Sequence, residues 1–221
     1  MLNRLSSVLR STLQSSFQRR RIVMTVIGVC VTGVAAGFLK QAALGVDPFQ
    51  CLCNGIHHVL PISYGTLYMF INLAFLIVAF LLNRHYIGLG TLINMFFLGY
   101  IIDGTEKLLI AMIPAPTFGI RLFYLIFGFV IVCIAASMYF TANMGVSTYD
   151  AIALHLAAKK VGPFRLIRII TDVLCVLTGF ILGWKPGLGT IALALGTGPL
   201  ISFFNDHFAS KLLYGKEHQA A

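Results

Sequence analysis

Asp172 stands in the middle of an apolar run that extends from Phe164 to Leu182. A charge at the centre of a membrane helix costs about 2.5–3.5 kcal/mol on insertion scales. Its carboxyl must therefore face the bundle interior, carry a proton, or pair with a base. Arg168 lies four residues earlier, on the same helical face. A shift of 100 residues sets Asn72 opposite Asp172. The pair is expected to line a central polar site in which Asp172 accepts a proton or cation. The alternative is a structural pair, bonded to each other or to Arg168.

The same shift relates Gly45-Val46-Asp47-Pro48-Phe49 to Gly145-Val146-Ser147-Thr148-Tyr149. Asp47 before Pro48 reads as an N-cap followed by proline at the first helical position. Ser147 with Asp150 three residues on reads as a capping box. A helix start inside a membrane offers free N–H groups and a positive dipole end, which broken transporter helices use to bind substrates or ions. The caps alone can also satisfy those groups. His57, His58 and His155 fall on the two short helices that follow. Cys53 and His57 share a face, but a metal site needs two further ligands, and none is assigned. Interfacial anchoring suits these histidines better than pH sensing. Gly88-Leu89-Gly90-Thr91 recurs as Gly187-Leu188-Gly189-Thr190. Lacking the Lys-Ser/Thr ending of a phosphate loop, these motifs are assigned to close packing between neighbouring spans. Asp103, Glu106 and Lys107 are assigned to a solvated helix end, with Glu106 and Lys107 at headgroups or water. No nucleophile–base arrangement occurs, so an enzyme is not expected.

Lipid must be the main solvent of the elements that hold these residues. Hydrophobic residues form 58% of the chain and charged ones 10%, against about 25% charged in soluble domains. The net charge of +9 sits at the ends of apolar runs, as in helices anchored at the cytoplasmic face, and not in a nucleic-acid patch. The five cysteines read as small buried hydrophobes. Runs 22–43, 63–83, 88–109, 121–143, 163–183 and 188–208 approach the roughly 20 residues a crossing needs. Segments 48–60 and 148–160 rise only about 20 Å, too short to span the hydrocarbon core comfortably. They are expected to dip into the membrane or lie at its face. Leu2, Leu5, Leu9, Leu13 and Phe17 form an apolar stripe on an amphipathic, basic N-terminal segment, residues 1–21. Repeat 1 then covers 22–110, repeat 2 covers 121–208, and 209–221 is a cytoplasmic tail. The fold class is an all-α polytopic membrane protein of two homologous halves. Each half has three long helices and one short re-entrant or interfacial helix. Six crossings with the N-terminus inside satisfy the positive-inside rule, through Arg19 to Arg21, Arg84, Lys159, Lys160, Arg165, Lys211 and Lys216, and make the repeat inverted. Eight crossings with parallel halves satisfy it too.

Leu44-Gly45-Val46-Asp47-Pro48 together with Gly88-Leu89-Gly90-Thr91 resembles the bacterial YczE/YyaS/YitT family of integral membrane proteins, over residues 22–208. The second copy departs from the first motif at Ser147-Thr148. The resemblance implies a multi-pass protein of the bacterial inner membrane, with no catalytic residues and no cofactor. The expected function is transport of a small solute or ion at a midplane site between the halves, with proton coupling as one form it can take. A non-transporting subunit that binds a protein partner is the alternative. The expected partners are the lipid bilayer, an unknown solute or ion and a second copy as homodimer.

Overall fold

The computed structural model describes residues 2–83, 87–145 and 147–214, with side chains from residue 16 onward except at 83, 154, 164 and 165. Arg84, Val146 and Lys216, and the side chains of Leu2, Leu5, Leu9, Leu13 and Arg165, lie outside the described residues. The helices are α1 (Leu2–Ala42), α2 (Pro48–Val59), α3 (Tyr64–Asn83), α4 (Leu89–Met112), α5 (Phe118–Ala142), α6 (Thr148–Ala158), α7 (Phe164–Ile181), α8 (Leu188–Phe204) and α9 (Ser210–Tyr214). A π-helical turn, Asn205–Ala209, joins α8 to α9. The N-terminal segment does not form a separate helix; its backbone continues into the first apolar run as α1.

Ser16–Ala42, Tyr64–Leu82, Phe118–Ala142 and Leu188–Tyr214 are long and apolar enough to cross a membrane. The other two expected crossings are charged. α4 carries Asp103, Glu106 and Lys107, and α7 carries Arg168 and Asp172. On α7 the apolar side chains Ile169, Ile170, Val173, Leu174 and Leu177 are exposed, while Asp172 is largely covered. An outer surface of this kind suits lipid, not water.

α1 and α5 form the central pair and run antiparallel. A Cβ on Gly28 would press on the Ala135 carbonyl, and one on Gly128 would press on the Ala35 carbonyl. Small residues let the two backbones approach closely. Each helix end is then held by an arginine from the start of the other. Arg21 donates from Nε to the Ala142 carbonyl at 2.7 Å and from Nη2 to the Asn143 carbonyl. Arg121 donates from Nε to the Ala42 carbonyl at 2.7 Å and from Nη2 to the Ala43 carbonyl at 2.8 Å. These residues are related by the shift of 100. The arginines supply donors to carbonyls that the ending helices leave unpaired.

Beyond these ends the chain turns sharply, with Ala43, Asn143, Gly45 and Gly145 all at positive φ. The broken segment of each half rests on the glycine motif of the other. The Gly189 N–H donates to the Leu44 carbonyl at 2.8 Å, and the Gly90 N–H to the Met144 carbonyl at 2.7 Å. Val46 N–H adds a bond to Thr190 Oγ1 at 3.2 Å. The motifs assigned to packing between neighbouring spans thus receive the helix breaks of the opposite half. Gly45 has φ of 149° and abuts the Gly189–Thr190 backbone. Gly45→Ala is expected to destabilise the protein by about 2–3 kcal/mol through strain and overlap. Gly104→Ala, where an added methyl meets nothing, should be neutral or mildly stabilising. Unfolding in detergent compares the two; equal midpoints would remove the strain at the break.

Candidate functional site

The short helices do not lie on the surface. Each leaves its break, enters the bundle and packs on a long helix of the other half: α2 on α7, and α6 on α3. Their first turns meet. The Phe49 and Tyr149 rings, related by the shift of 100, lie 5.2 Å apart, and both are buried. Phe75 joins them at 5.7 Å from Phe49 and 6.0 Å from Tyr149. Two helix N-termini, each carrying a positive dipole end, thereby converge inside the protein.

Both caps form as the sequence indicates. Asp47 Oδ1 accepts from the Phe49 N–H at 3.0 Å. Ser147 Oγ accepts from the Asp150 N–H at 3.1 Å and donates to Asp150 Oδ2 at 2.7 Å. Asp150 then forms an ion pair with Arg168, whose other side reaches Asp172 at 3.2 Å. Tyr149 donates its hydroxyl proton to Asp172 at 2.7 Å, and its ring lies under the Arg168 guanidinium at 4.4 Å. One guanidinium therefore faces the carboxyls of Asp150 and Asp172. Two carboxyls share one cation, an imbalance that invites a proton or a second cation.

Asn72 and Asp172 do not bond to each other. Asn72 donates to the Tyr68 carbonyl at 2.9 Å and accepts from Thr148 Oγ1 at 2.7 Å, so it clamps the start of α6. Asp172 serves its own half, through Arg168 and Tyr149. Asp172, Asp150, Ser147 and Asp47 thus gather at the convergence, with Asn72 beside it at Thr148. His57 and His155 do not join them: His57 sits near the far end of α2 beside Tyr64, and His155 is buried in the last turn of α6. No group of three or more metal-ligating side chains occurs among the described residues.

Sequence reasoning missed three contributors. Tyr149 was read only as a repeat position, although a tyrosine one place past a helix N-cap can reach a neighbouring helix. Glu106 is assigned to headgroups or water, yet it pairs with the buried Lys40 at 2.5 Å, and Lys40 lies over the Tyr64 ring at 3.8 Å. Burial requires each charge to find the other. Arg21, read as an anchor, and Arg121 are helix-end clamps; their spacing of 100 residues was the available signal.

These features define a multi-pass helical membrane protein whose interior holds two broken helices and a charged cluster. The chain belongs to a family of unknown function, DUF6198, matched over residues 19–206. It is 25% identical over 187 residues to an uncharacterized protein of Haemophilus influenzae, covering 85% of this chain and 84% of the relative. It is 24% identical over 193 residues to the uncharacterized membrane protein YczE of Bacillus subtilis, covering 86% and 85%. The resemblance to YczE seen in the glycine motifs thus extends along most of the chain. No solved structure matches it.

Removing the arginine should expose the energetics of the cluster. Arg168→Met leaves Asp150 and Asp172 without their cation and is expected to cost about 2–4 kcal/mol. Adding Asp172→Asn should recover part of that loss. Unfolding of the single and double variants measures the coupling; strictly additive effects would show that the pair does not interact.

Proposed function

We propose that this protein is a small-solute or ion transporter of the bacterial inner membrane, built as an inverted repeat. Its site lies where α2 and α6 meet. The observation that carries this reading is the convergence of two half-helix N-termini, with their caps, on the Arg168–Asp172 cluster. Half-helix ends at the midplane form the binding sites of several inverted-repeat transporters.

The antiparallel α1 and α5 support inversion. If α2 and α6 enter and leave on one side, six crossings place the N-terminus and the Lys159–Lys160 turn in the cytoplasm. α1 then runs outward and α5 inward, as their pairing requires. Eight crossings would make the two helices parallel. α4 and α7 turn Asp103, Glu106, Arg168 and Asp172 largely toward the bundle and complete the six. A reporter fused after Arg84 should read cytoplasmic; a periplasmic signal there would contradict this topology.

Proton coupling follows from the charge imbalance of the cluster. Asp172 is its proton acceptor, and Tyr149 and Arg168 hold it in place. Alternating access would part Phe49 from Tyr149 as one half rocks against the other. The test is pH-dye flux in proteoliposomes challenged with pools of metabolites and inorganic ions. Asp172→Asn should fold normally and lower proton-coupled flux at least about tenfold. Unchanged, pH-dependent flux in that variant would remove Asp172 from the mechanism.

A second reading rests on a specific observation. Asp172 is closed by Arg168 and Tyr149, and the cleft of about 220 Å³ between Ala43, Gly45, Val46, Trp184 and Lys185 lies elsewhere. A purely structural cluster would suit a non-transporting subunit that presents its basic loops to a protein partner. Absence of flux, with a stoichiometric partner recovered from native membranes, would favour it.

A further inference from the structure

Gln50, Asn54 and His57 fall at i, i+4 and i+7 and share one face of α2. Asn54 is 1% exposed and Gln50 8%. Gln50 Oε1, both amide atoms of Asn54, His57 Nδ1 and the Tyr64 hydroxyl are buried with no hydrogen-bond partner. A buried polar group left unpaired costs about 1–3 kcal/mol, and such groups are few in native proteins. Packing does not ask for them: the neighbouring faces of α2 already bury Phe49 on Tyr68 and Phe75, and Gly55 on Gly179. The second half lacks the stripe. Its matching residues are Asp150, Leu154 and Ala157. The repeat architecture therefore does not require it.

The stripe has a direction. His58, beside His57, is exposed and touches Gly183 just past the end of α7. At the other end Gln50 lies in the first turn of α2, next to Phe49, whose ring meets Tyr149 of the Arg168 cluster at 5.2 Å. The stripe offers both donors and acceptors. The charges beside it, Lys40 and Glu106, neutralise each other. An ion would find no net countercharge there, whereas an uncharged molecule would find its hydrogen bonds ready.

We propose that the Gln50–Asn54–His57 face of α2, with the Tyr64 hydroxyl, is a binding path for a small uncharged hydrogen-bonding solute, leading from the end of α2 to the Arg168 cluster. It rests on the transport reading and names its substrate class. The polar atoms of this face are buried, so a solute reaches them when an open conformation parts the packing around α2.

The test starts from protein in which the five native cysteines are replaced by alanine, carrying Gln50→Cys, Asn54→Cys or Val59→Cys. A small methanethiosulfonate reagent is added to right-side-out vesicles. Labelling is expected at all three, with acetamide and glycerol slowing it at positions 50 and 54 but not at the exposed control, 59. No labelling at 50 and 54 while 59 reacts would overturn the path. Labelling without protection would mean water only and overturn the solute assignment. If the cysteine-free background does not fold, osmotic swelling of proteoliposomes in acetamide or glycerol serves with native cysteines. Asn54→Leu should slow swelling about tenfold, the loss that one or two hydrogen bonds carry; unchanged swelling would overturn the proposal. Labelling and protection without solute flux would uphold the path and remove transport. Flux without labelling or protection would do the reverse.

Discussion

Lipid cannot hydrogen-bond a peptide group, so a helix may break inside this protein only if protein atoms receive its loose ends. Everything central to the structure answers that constraint. Arg21 and Arg121 take the last carbonyls of α5 and α1, and Gly90 and Gly189 take the carbonyls of Met144 and Leu44. Each break is satisfied by the opposite half. Neither half can bury its break alone, which ties the two copies into one domain. The glycines follow from the same need, because side chains at Gly45 or Gly187 would occupy the space of the backbone they meet.

Once the breaks are held, the short helices are aimed. Their first turns meet through Phe49 and Tyr149, and each N-terminus is capped by its own side chain. Charges then become affordable where lipid would exclude them. Arg168 links Asp150 at the start of α6 with Asp172 in the middle of α7, so the cluster ties a half-helix to a long helix. Movement of α6 relative to α7 must rearrange that tie. A short helix and a membrane-buried carboxyl are thus joined at one place.

Much of this was legible in the sequence. The two caps and the covered position of Asp172 follow from spacing and from the cost of charge in lipid. Asp47, Ser147 and Asp150 lie where their capping pattern puts them. The rest depended on long-range geometry that local patterns do not encode. Lys40 and Glu106 are 66 residues apart, and nothing local signals that they pair. Asn72 seemed the counterpart of Asp172, but repeat symmetry fixes backbone positions and leaves side chains free to choose partners. Asn72 therefore holds Thr148 while Asp172 holds Arg168. The unpaired stripe of α2 was visible as wet residues on a short helix, yet only the fold shows that those residues face inward.

The central claim is that the two short helices meet tip to tip inside the membrane domain. It is tested most directly by cross-linking. A Phe49→Cys, Tyr149→Cys pair in native membranes, treated with a short bifunctional thiol reagent, should form an intramolecular link in high yield, because the native rings lie 5.2 Å apart. If both cysteines react singly with the reagent but never join, the half-helices do not converge and the site does not exist.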